Sequence, residues 1–189
     1  KTHSKVALDT VAQQSVDVYG RPSLPSTYDD DFRPSLLLSK KGKIYFNVIS
    51  RDRKKMDVCV ADIETGEVKV LIEERMNTYI ESRDLVLLYD ETQLIHWSER
   101  DGWAHFYRYN ADGSLRNRIT RGTFHSEEVS GVDEKSGLLY FTAHGVQPGL
   151  DPYYEHLYAV SLGGGTPKAL NPGDFTSSTR SSDRHNYFV

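Results

Sequence analysis

The sequence has little cysteine and no long apolar run. Cys59 is the one cysteine among 189 residues, so no disulfide bond can form within the chain. No stretch approaches the ~20 apolar residues that a membrane-spanning helix needs, and no signal peptide is visible. Cys59 lies in the apolar run Val58–Ala61, which favours a buried structural thiol, because a cysteine nucleophile needs exposure and a base.

The chain also lacks an excess of basic residues. The 23 Lys and Arg residues against 27 Asp and Glu residues give a net charge of -4. This balance argues against a nucleic-acid partner, because phosphate binding needs a concentrated basic surface. The 12 Tyr, 7 Phe and 2 Trp residues are typical of a folded globular protein and exclude a disordered one.

A nucleophile motif is missing as well. In α/β-hydrolases the pentad Gly-x-Ser-x-Gly lifts the reactive serine above the sheet. This pentad does not occur here: Ser130 and Ser136 are each followed by a glycine, but neither has a glycine two residues before it. We therefore expect no catalytic residue in this chain. His144 and His156 lie far apart, without the spacing of a metal motif, so we expect no metal site and no cofactor.

What the chain does contain is an internal repeat. Three stretches share one order of strands and turns, and the residues that close the third strand of each are Asp62, Asn110 and Ser161. The spacings, 110 − 62 = 48 and 161 − 110 = 51, match β-propeller blades, which hold four strands in about 40–50 residues. Gly66 and Gly113 supply the positive φ that a hairpin turn needs.

The repeats predict an all-β fold, a β-propeller fragment with about three complete four-stranded antiparallel blades and partial blades at both ends. No amphipathic helix is predicted. The chain begins at Lys1 without a methionine and ends in strand-like residues, so we expect it to be part of a longer protein. The predicted bounds are a part blade at residues 1–20, blades at 31–75, 80–122 and 128–172, and the start of a further blade at 180–189.

One short span holds His96, Ser98, Asp101 and His105, the residue types of a catalytic triad. His96 and Ser98 share one face of a predicted strand, whereas Asp101 lies in a predicted hairpin turn. The three side chains should therefore not converge. We expect an architectural role instead, with Trp97 and Trp103 packed between blades.

The span Trp97–Tyr107 resembles a blade motif of the dipeptidyl peptidase IV N-terminal propeller, in the prolyl oligopeptidase family of serine peptidases. The stretches Gly131–Asp133, Leu139–Ala143 and Asp151–Tyr158 continue the resemblance, and Ala61–Val68 fits the preceding blade. The resemblance covers roughly residues 30–189, and Trp97–Tyr107 is its most specific part.

The resemblance implies an eight-bladed propeller that caps an α/β-hydrolase domain carrying the catalytic serine, aspartate and histidine. The propeller would shape the substrate tunnel and help to hold the N-terminus of a peptide substrate. Dipeptides would be released from that end, with proline or alanine preferred in second place. The whole protein would be an exported enzyme, periplasmic in a bacterium, whereas this chain alone would not be an enzyme. The alternative is a free-standing propeller that acts as a protein-interaction scaffold.

Members of this family grip the substrate amine with paired glutamates, because carboxylates accept several charge-assisted hydrogen bonds from a cation. Two such pairs occur here, Glu73–Glu74 and Glu127–Glu128. Neither has the family's aromatic surroundings, and we expect both in solvated loops between the fourth strand of a blade and the next blade. The family's own pair is expected upstream of Lys1.

The stretch Asn77–Arg83 is the predicted tunnel-facing loop, because it enters an innermost strand. By similarity, an arginine near this point lines the substrate pocket, and Arg83 matches it, with Glu81 and Tyr79 as neighbours. These three are the predicted substrate-binding residues. The alternative role for Arg83 is an ion pair at the rim.

The longest insertion, Gly145–Glu155, predicts a contact with a partner domain or a second subunit, because functional contacts concentrate in loops. Three blades alone also leave open sheet edges. We therefore expect the isolated chain to form homo-oligomers.

Overall fold

The computed structural model describes residues 15–18 and 37–176. Apart from Ser15–Val18, the predicted part blades at residues 1–20 and 180–189 lie outside this range. Within it the regular structure is all β, with no helix. The strands are β1 Ser15–Val18, β2 Leu37–Leu38, β3 Lys43–Ile49, β4 Lys55–Asp62, β5 Val68–Arg75, β6 Val86–Leu88, β7 Gln93–Ser98, β8 His105–Asn110, β9 Leu115–Arg118, β10 His125–Asp133, β11 Leu138–His144, β12 Glu155–Ser161 and β13 Lys168–Ala169.

These strands form three antiparallel sheets. The second and third sheets each contain four strands in chain order, β6-β7-β8-β9 and β10-β11-β12-β13. The first has the order β1-β3-β4-β5, and β2 also pairs with β3. Asp62, Asn110 and Ser161 end β4, β8 and β12, the strands next to the last in their sheets. The sheets thus confirm the predicted all-β fold of antiparallel four-stranded units.

In the first sheet, two short strands, β1 and β2, pair with successive parts of β3. Val18 lies opposite Phe46 at the end of β1, and Leu37 lies opposite Tyr45 at the start of β2. Because Tyr45 and Phe46 are consecutive, β1 and β2 occupy consecutive register positions. Together they serve as the first strand of this sheet.

The chain divides into two compact units. One contains residues 1–85 and 111–114, and the other contains residues 86–110 and 115–189. The first unit holds the first sheet, and the second unit holds the other two. β-branched and apolar side chains dominate β3 and β4, which suits strands buried on a pleated surface. Phe46, Val48, Cys59 and Ala61 form a buried cluster in the first unit.

Aromatic rings from both sheets meet in the core of the second unit. Phe106 of β8 packs edge-on against Phe141 of β11, with ring centroids 5.6 Å apart. Phe141 in turn lies 5.8 Å from Tyr158 of β12. All three side chains are buried, and such edge-on or tilted ring pairs contribute beyond their buried area.

Hydrogen bonds also join the two sheets of this unit. The Trp97 indole Nε1 donates to the carbonyl oxygen of Ser126 at 2.7 Å. Nη1 of Arg108 and Nδ2 of Asn117 donate to the carbonyl oxygen of Leu162 at 3.5 Å and 3.0 Å. These bonds satisfy polar groups that the packing of one sheet on the other would otherwise bury without partners.

The two tryptophans of the most specific motif have different environments. Trp97 is buried, as predicted. The prediction was wrong for Trp103, which is 45% exposed. Gly102, at φ 85°, turns the backbone in the hairpin between β7 and β8, and the next residue therefore projects from the hairpin tip instead of into the core.

Candidate functional site

The predicted site residues lie between β5 and β6, in residues 76–85, which we call the β5–β6 segment. It contains no regular strand or helix, but it is fixed to the first sheet. The backbone N–H of Ile80 donates to the carbonyl oxygen of Arg53 at 2.8 Å, and the side chains of Ile80 and Leu85 are buried. The segment therefore holds its remaining side chains on a defined support.

Tyr79 projects from this segment and is 60% exposed. The guanidinium of Arg53 lies over its ring, 5.1 Å from the centroid, a cation–π contact of about 0.5–1 kcal/mol at an exposed site. Arg53 has a φ of 52° in the turn between β3 and β4. The sequence analysis did not identify Arg53. The available signal was that the β3–β4 turn and the carboxyl end of β5 lie at the same end of an antiparallel sheet.

Glu81 and Arg83 form an ion pair, with 2.8 Å between Oε1 and Nη2. Ser82, between them, accepts a hydrogen bond from Nδ2 of the buried Asn47 at 2.8 Å. Glu81 is exposed, and the side chain of Arg83 is 26% exposed. The segment thus presents a phenol, a carboxylate and a guanidinium, which can bind carbonyl oxygens and an amine of a peptide.

The hairpin between β7 and β8 carries the residue types of a catalytic triad, but their polar atoms have other partners. The Ser98 hydroxyl oxygen accepts hydrogen bonds from N and Nε of Arg100 at 3.1 Å and 3.0 Å. Oδ2 of Asp101 accepts from the Tyr107 hydroxyl at 2.6 Å and from Nη1 of Arg118 at 2.7 Å. The serine and the aspartate therefore bind arginine and tyrosine instead of a histidine.

Tyr107 is the buried centre of this hairpin. The guanidinium groups of Arg100 and Arg118 lie 4.6 Å and 5.7 Å from the centre of its ring. Burial, and then the hydrogen bond to Asp101, raise the pKa of its phenol above the ordinary value, so the hydroxyl stays protonated and donates. The arginines and the tyrosine of this span therefore contact one another.

His105 has both ring nitrogens occupied inside the protein. Nε2 lies 3.1 Å from the carbonyl oxygen of Gly122, and Nδ1 lies 3.0 Å from Oγ1 of Thr120. A carbonyl oxygen can only accept, so Nε2 carries the proton and Nδ1 accepts from the Thr120 hydroxyl. Oγ1 of Thr120 then accepts from the Phe106 N–H at 3.0 Å and from the Ser126 hydroxyl at 3.2 Å. We call these groups the His105 network.

The protonation of His105 follows from its surroundings. Burial lowers its pKa from 6.5 to about 4, the hydrogen bond to Gly122 opposes this shift, and the charge of Arg118 adds to it. The imidazole is therefore neutral at pH 7. With no nitrogen left to receive a proton from a substrate or a serine, it is an architectural residue.

Cys59 is equally unsuited to catalysis. Burial, and then the charge of Asp57, raise the pKa of its thiol to about 11. The thiolate is the reactive form of cysteine, so this buried thiol stays protonated and unreactive at neutral pH.

Both glutamate pairs lie within strands, and the prediction that they occupy loops was wrong. Glu73 and Glu74 belong to β5, where Glu73 is exposed and Glu74 is buried, because successive side chains of a strand point to opposite faces. Glu127 and Glu128 belong to β10, and Oε2 of Glu127 lies 2.9 Å from Nε2 of His125. Edge strands tolerate such charges, so the strands continue through them.

Within residues 15–18 and 37–176, no group of three or more histidine, cysteine, aspartate or glutamate residues could hold a metal ion. No helix in the same residues is long and apolar enough to cross a membrane.

Comparison with known families gives one match over most of the chain. The family described as the dipeptidyl peptidase IV (DPP IV) N-terminal region matches residues 5–189. Among curated proteins, dipeptidyl peptidase 4 of Arthroderma otae is 36% identical over 64 residues, which are 34% of this chain and 8% of that protein.

Solved structures show the same likeness. Porphyromonas gingivalis dipeptidyl peptidase 4 superposes with a TM-score of 0.72 and 21% identity over 88% of this chain and 23% of its own. A Bacteroides ovatus protein described as a dipeptidyl aminopeptidase IV superposes with a TM-score of 0.68 and 23% identity, over 85% of this chain and 26% of its own. The chain thus spans about a quarter of these proteins, and the shared fold confirms the predicted β-propeller fragment.

Proposed function

Because the chain belongs to the family of dipeptidyl peptidase IV N-terminal regions, we propose that it is the non-catalytic propeller portion of a serine exopeptidase. In this proposal it shapes the tunnel through which a peptide enters and orients the N-terminus of that peptide. An α/β-hydrolase domain elsewhere in the protein supplies the catalytic serine, aspartate and histidine. The family match over residues 5–189 is the observation that supports the proposal. The internal hydrogen bonds of Ser98, Asp101 and His105 support the non-catalytic role of this part.

The β5–β6 segment is the proposed contact with the substrate. Arg83 offers guanidinium donors to backbone carbonyl oxygens of a peptide, and Glu81 offers an acceptor for its ammonium group. Tyr79 adds an exposed ring, whose orientation the cation–π contact with Arg53 favours. Tyr79 and Glu81 are exposed and Arg83 is partly exposed on a fixed backbone, which supports a binding role, because a pre-ordered site loses less entropy when a ligand binds.

The test is a substitution in the full-length enzyme. Arg83→Ala should raise the KM for a Gly-Pro substrate by about tenfold or more, the loss of one charge-assisted hydrogen bond, with little change in kcat. Arg116→Ala, at an exposed arginine of β9, is the matched control and should leave both constants unchanged. If Arg83→Ala also leaves both unchanged, Arg83 is a rim ion-pair residue and the substrate contact lies elsewhere.

A second candidate function is a free-standing propeller that binds other proteins. The observation that favours it is the exposure of two aromatic side chains in hairpin loops, Trp103 at 45% and Tyr153 at 83%. Aromatic residues are enriched where proteins bind one another. The coding sequence after residue 189 separates the two functions, because a Gly-x-Ser-x-Gly elbow there supports the peptidase and its absence supports the scaffold.

The loop between β11 and β12 is a proposed contact between copies of the chain. Tyr153 is its most exposed large side chain, and burial of such a ring against a partner is favourable. Light scattering of the purified chain should show an oligomer that Tyr153→Ser weakens. A monomer at every concentration, or an oligomer that is indifferent to Tyr153→Ser, would contradict this contact.

A further inference from the structure

A groove of about 690 Å³ opens in the second unit, and no part of the proposed function uses it. Three backbone stretches line it: residues 121–124 after β9, residues 145–146 after β11, and residues 163–167 between β12 and β13. We call it the Arg121 groove. Five of its eleven lining residues are glycine, so backbone polar groups form much of its surface.

The stretch between β12 and β13 supplies hydrogen-bond donors. Gly164 N–H donates to the Ser161 carbonyl oxygen at 2.8 Å, and Gly163 N–H donates to the Ser161 hydroxyl oxygen at 3.1 Å. In the described part of the chain, no hydrogen bond uses the N–H groups of Gly165 and Thr166. Successive N–H groups in a turn with positive φ, here 95° and 141° at the last two glycines, form concave sites that favour anions.

The side chains of the groove point to the same chemistry. Arg121 is the one charged residue in the lining, which contains no acidic side chain. Its guanidinium forms no hydrogen bond or ion pair with any other residue that the structure describes. The hydroxyl groups of Thr123 and Thr166 add two donors, and the buried Phe124 adds an apolar wall. The groove combines a positive charge, neutral donors and an apolar surface.

The backbone is held in this shape by close contacts. A Cβ atom at Gly164 would lie 3.1 Å from the carbonyl oxygen of Arg118, and one at Gly122 would lie 2.8 Å from the ring of Phe124. Larger residues therefore cannot occupy these positions without a shift of the wall. Gly122 and Gly164 therefore allow the groove its present backbone path.

We propose that the Arg121 groove binds an oxyanion, the carboxylate or phosphate group of a ligand whose apolar part lies against Phe124. Arg121 supplies the charge, and the N–H groups of Gly165 and Thr166 supply directed donors. A guanidinium together with backbone N–H groups is a donor set that suits carboxylate and phosphate oxygens.

Amide NMR of the 189-residue chain tests the proposal, because glycine amides resonate in a separate region of the spectrum. Sodium phosphate is titrated at constant ionic strength, with sodium chloride as the reference. Shifts should concentrate at residues 163–166 and at Gly122. Arg121→Gln should weaken phosphate binding by about tenfold, the loss of one charge-assisted hydrogen bond, and Arg116→Gln should not. Phosphate shifts that spread over the chain, or that Arg121→Gln leaves unaltered, would overturn the site.

Two further titrations distinguish the source of the oxyanion. A peptide with a free C-terminal carboxylate is compared with the same peptide in amidated form. Localised shifts from the free peptide alone assign the groove to a carboxylate ligand, and localised shifts from phosphate alone assign it to a phosphorylated ligand. The absence of localised chemical-shift changes in both the phosphate and the carboxylate titrations would overturn the proposal.

Discussion

The His105 network and the β5–β6 segment both carry residues with the chemistry of catalysis or binding, but they use them in opposite ways. His105 is fully buried, and both of its ring nitrogens are bound within the protein. Tyr79 and Glu81 reach the surface, on a backbone that Ile80 anchors. Burial and hydrogen-bond satisfaction, more than residue type, therefore separate architecture from a candidate site.

This contrast determines what substitutions should do. When a group with internal partners is removed, those partners stay buried without hydrogen bonds, which costs stability. When an exposed group on a fixed support is removed, the fold loses little and a ligand loses a contact. Stability and binding should therefore respond to different sets of residues.

The largest expected effect comes from Trp97→Ala. This buried indole donates to the carbonyl oxygen of Ser126, whose hydroxyl belongs to the His105 network, so the change should cost about 3–5 kcal/mol of unfolding free energy. Trp103→Ala, at the exposed hairpin tip, should cost less than about 1 kcal/mol. Urea unfolding followed by circular dichroism measures the unfolding free energy of both variants. Equal losses in the two variants would contradict the expected difference between the buried and the exposed tryptophan.

The second-largest expected effect is the loss of stability that protonation of His105 causes in acid. The pKa of His105 is lowered from 6.5 to about 4 in the folded chain, so the unfolded chain binds more protons between these values. Neutral His105 therefore contributes to the free energy of unfolding in full above pH 6.5. This contribution is lost as the pH falls towards 4, on the order of 3 kcal/mol in total. Urea unfolding between pH 7 and pH 4 should show a steeper decline for the natural chain than for His105→Gln. Parallel declines would mean that His105 titrates normally.

Thr120→Val tests the centre of the network alone. Its hydroxyl is fully buried and joins His105, Phe106 and Ser126, so its removal should cost about 1–3 kcal/mol. Thr123→Val makes the same chemical change at an exposed position and should stay within about 0.5 kcal/mol. Thermal unfolding of the two variants side by side provides the measurement, and a neutral Thr120→Val would show that the network is dispensable.

The smallest expected effect on stability is that of Arg83→Ala. Its ion pair with Glu81 is partly exposed, and such pairs contribute about 0–1 kcal/mol. Urea unfolding should therefore detect little change, even though the same substitution alters KM in the full-length enzyme. A loss of more than about 2 kcal/mol of unfolding free energy would show that Arg83 of the β5–β6 segment stabilises the fold, as the His105 network does.

The sequence predicts the parts of this molecule that depend on local pattern. The repeat that ends at Asp62, Asn110 and Ser161 depends on alternation and turn glycines, so the ends of β4, β8 and β12 could be found in advance. The links from His105 to Thr120 and from Thr120 to Ser126 depend on how separate strands and loops meet. No spacing in the sequence encodes that geometry.

The wrong predictions have the same physical origin. The direction of Trp103 depends on how one glycine turns a hairpin, and the place of Glu73 and Glu74 depends on how far an edge strand continues. Charged residues at a strand edge look like a loop in the sequence, because edge strands and loops both tolerate charge. An ion pair is the alternative role that the sequence predicts for Arg83, and its partner in the structure is Glu81. The role of these residues towards a substrate stays a prediction.

The central claim, that this chain contributes architecture and binding but no nucleophile, has a direct test. The purified 189-residue chain is incubated with a fluorophosphonate probe that labels activated serines, and separately with a chromogenic Gly-Pro substrate. We predict no labelling and no release of the chromophore above buffer, because the Ser98 hydroxyl accepts hydrogen bonds from N and Nε of Arg100. Labelling that Ser98→Ala abolishes, together with turnover of the substrate, would contradict the account.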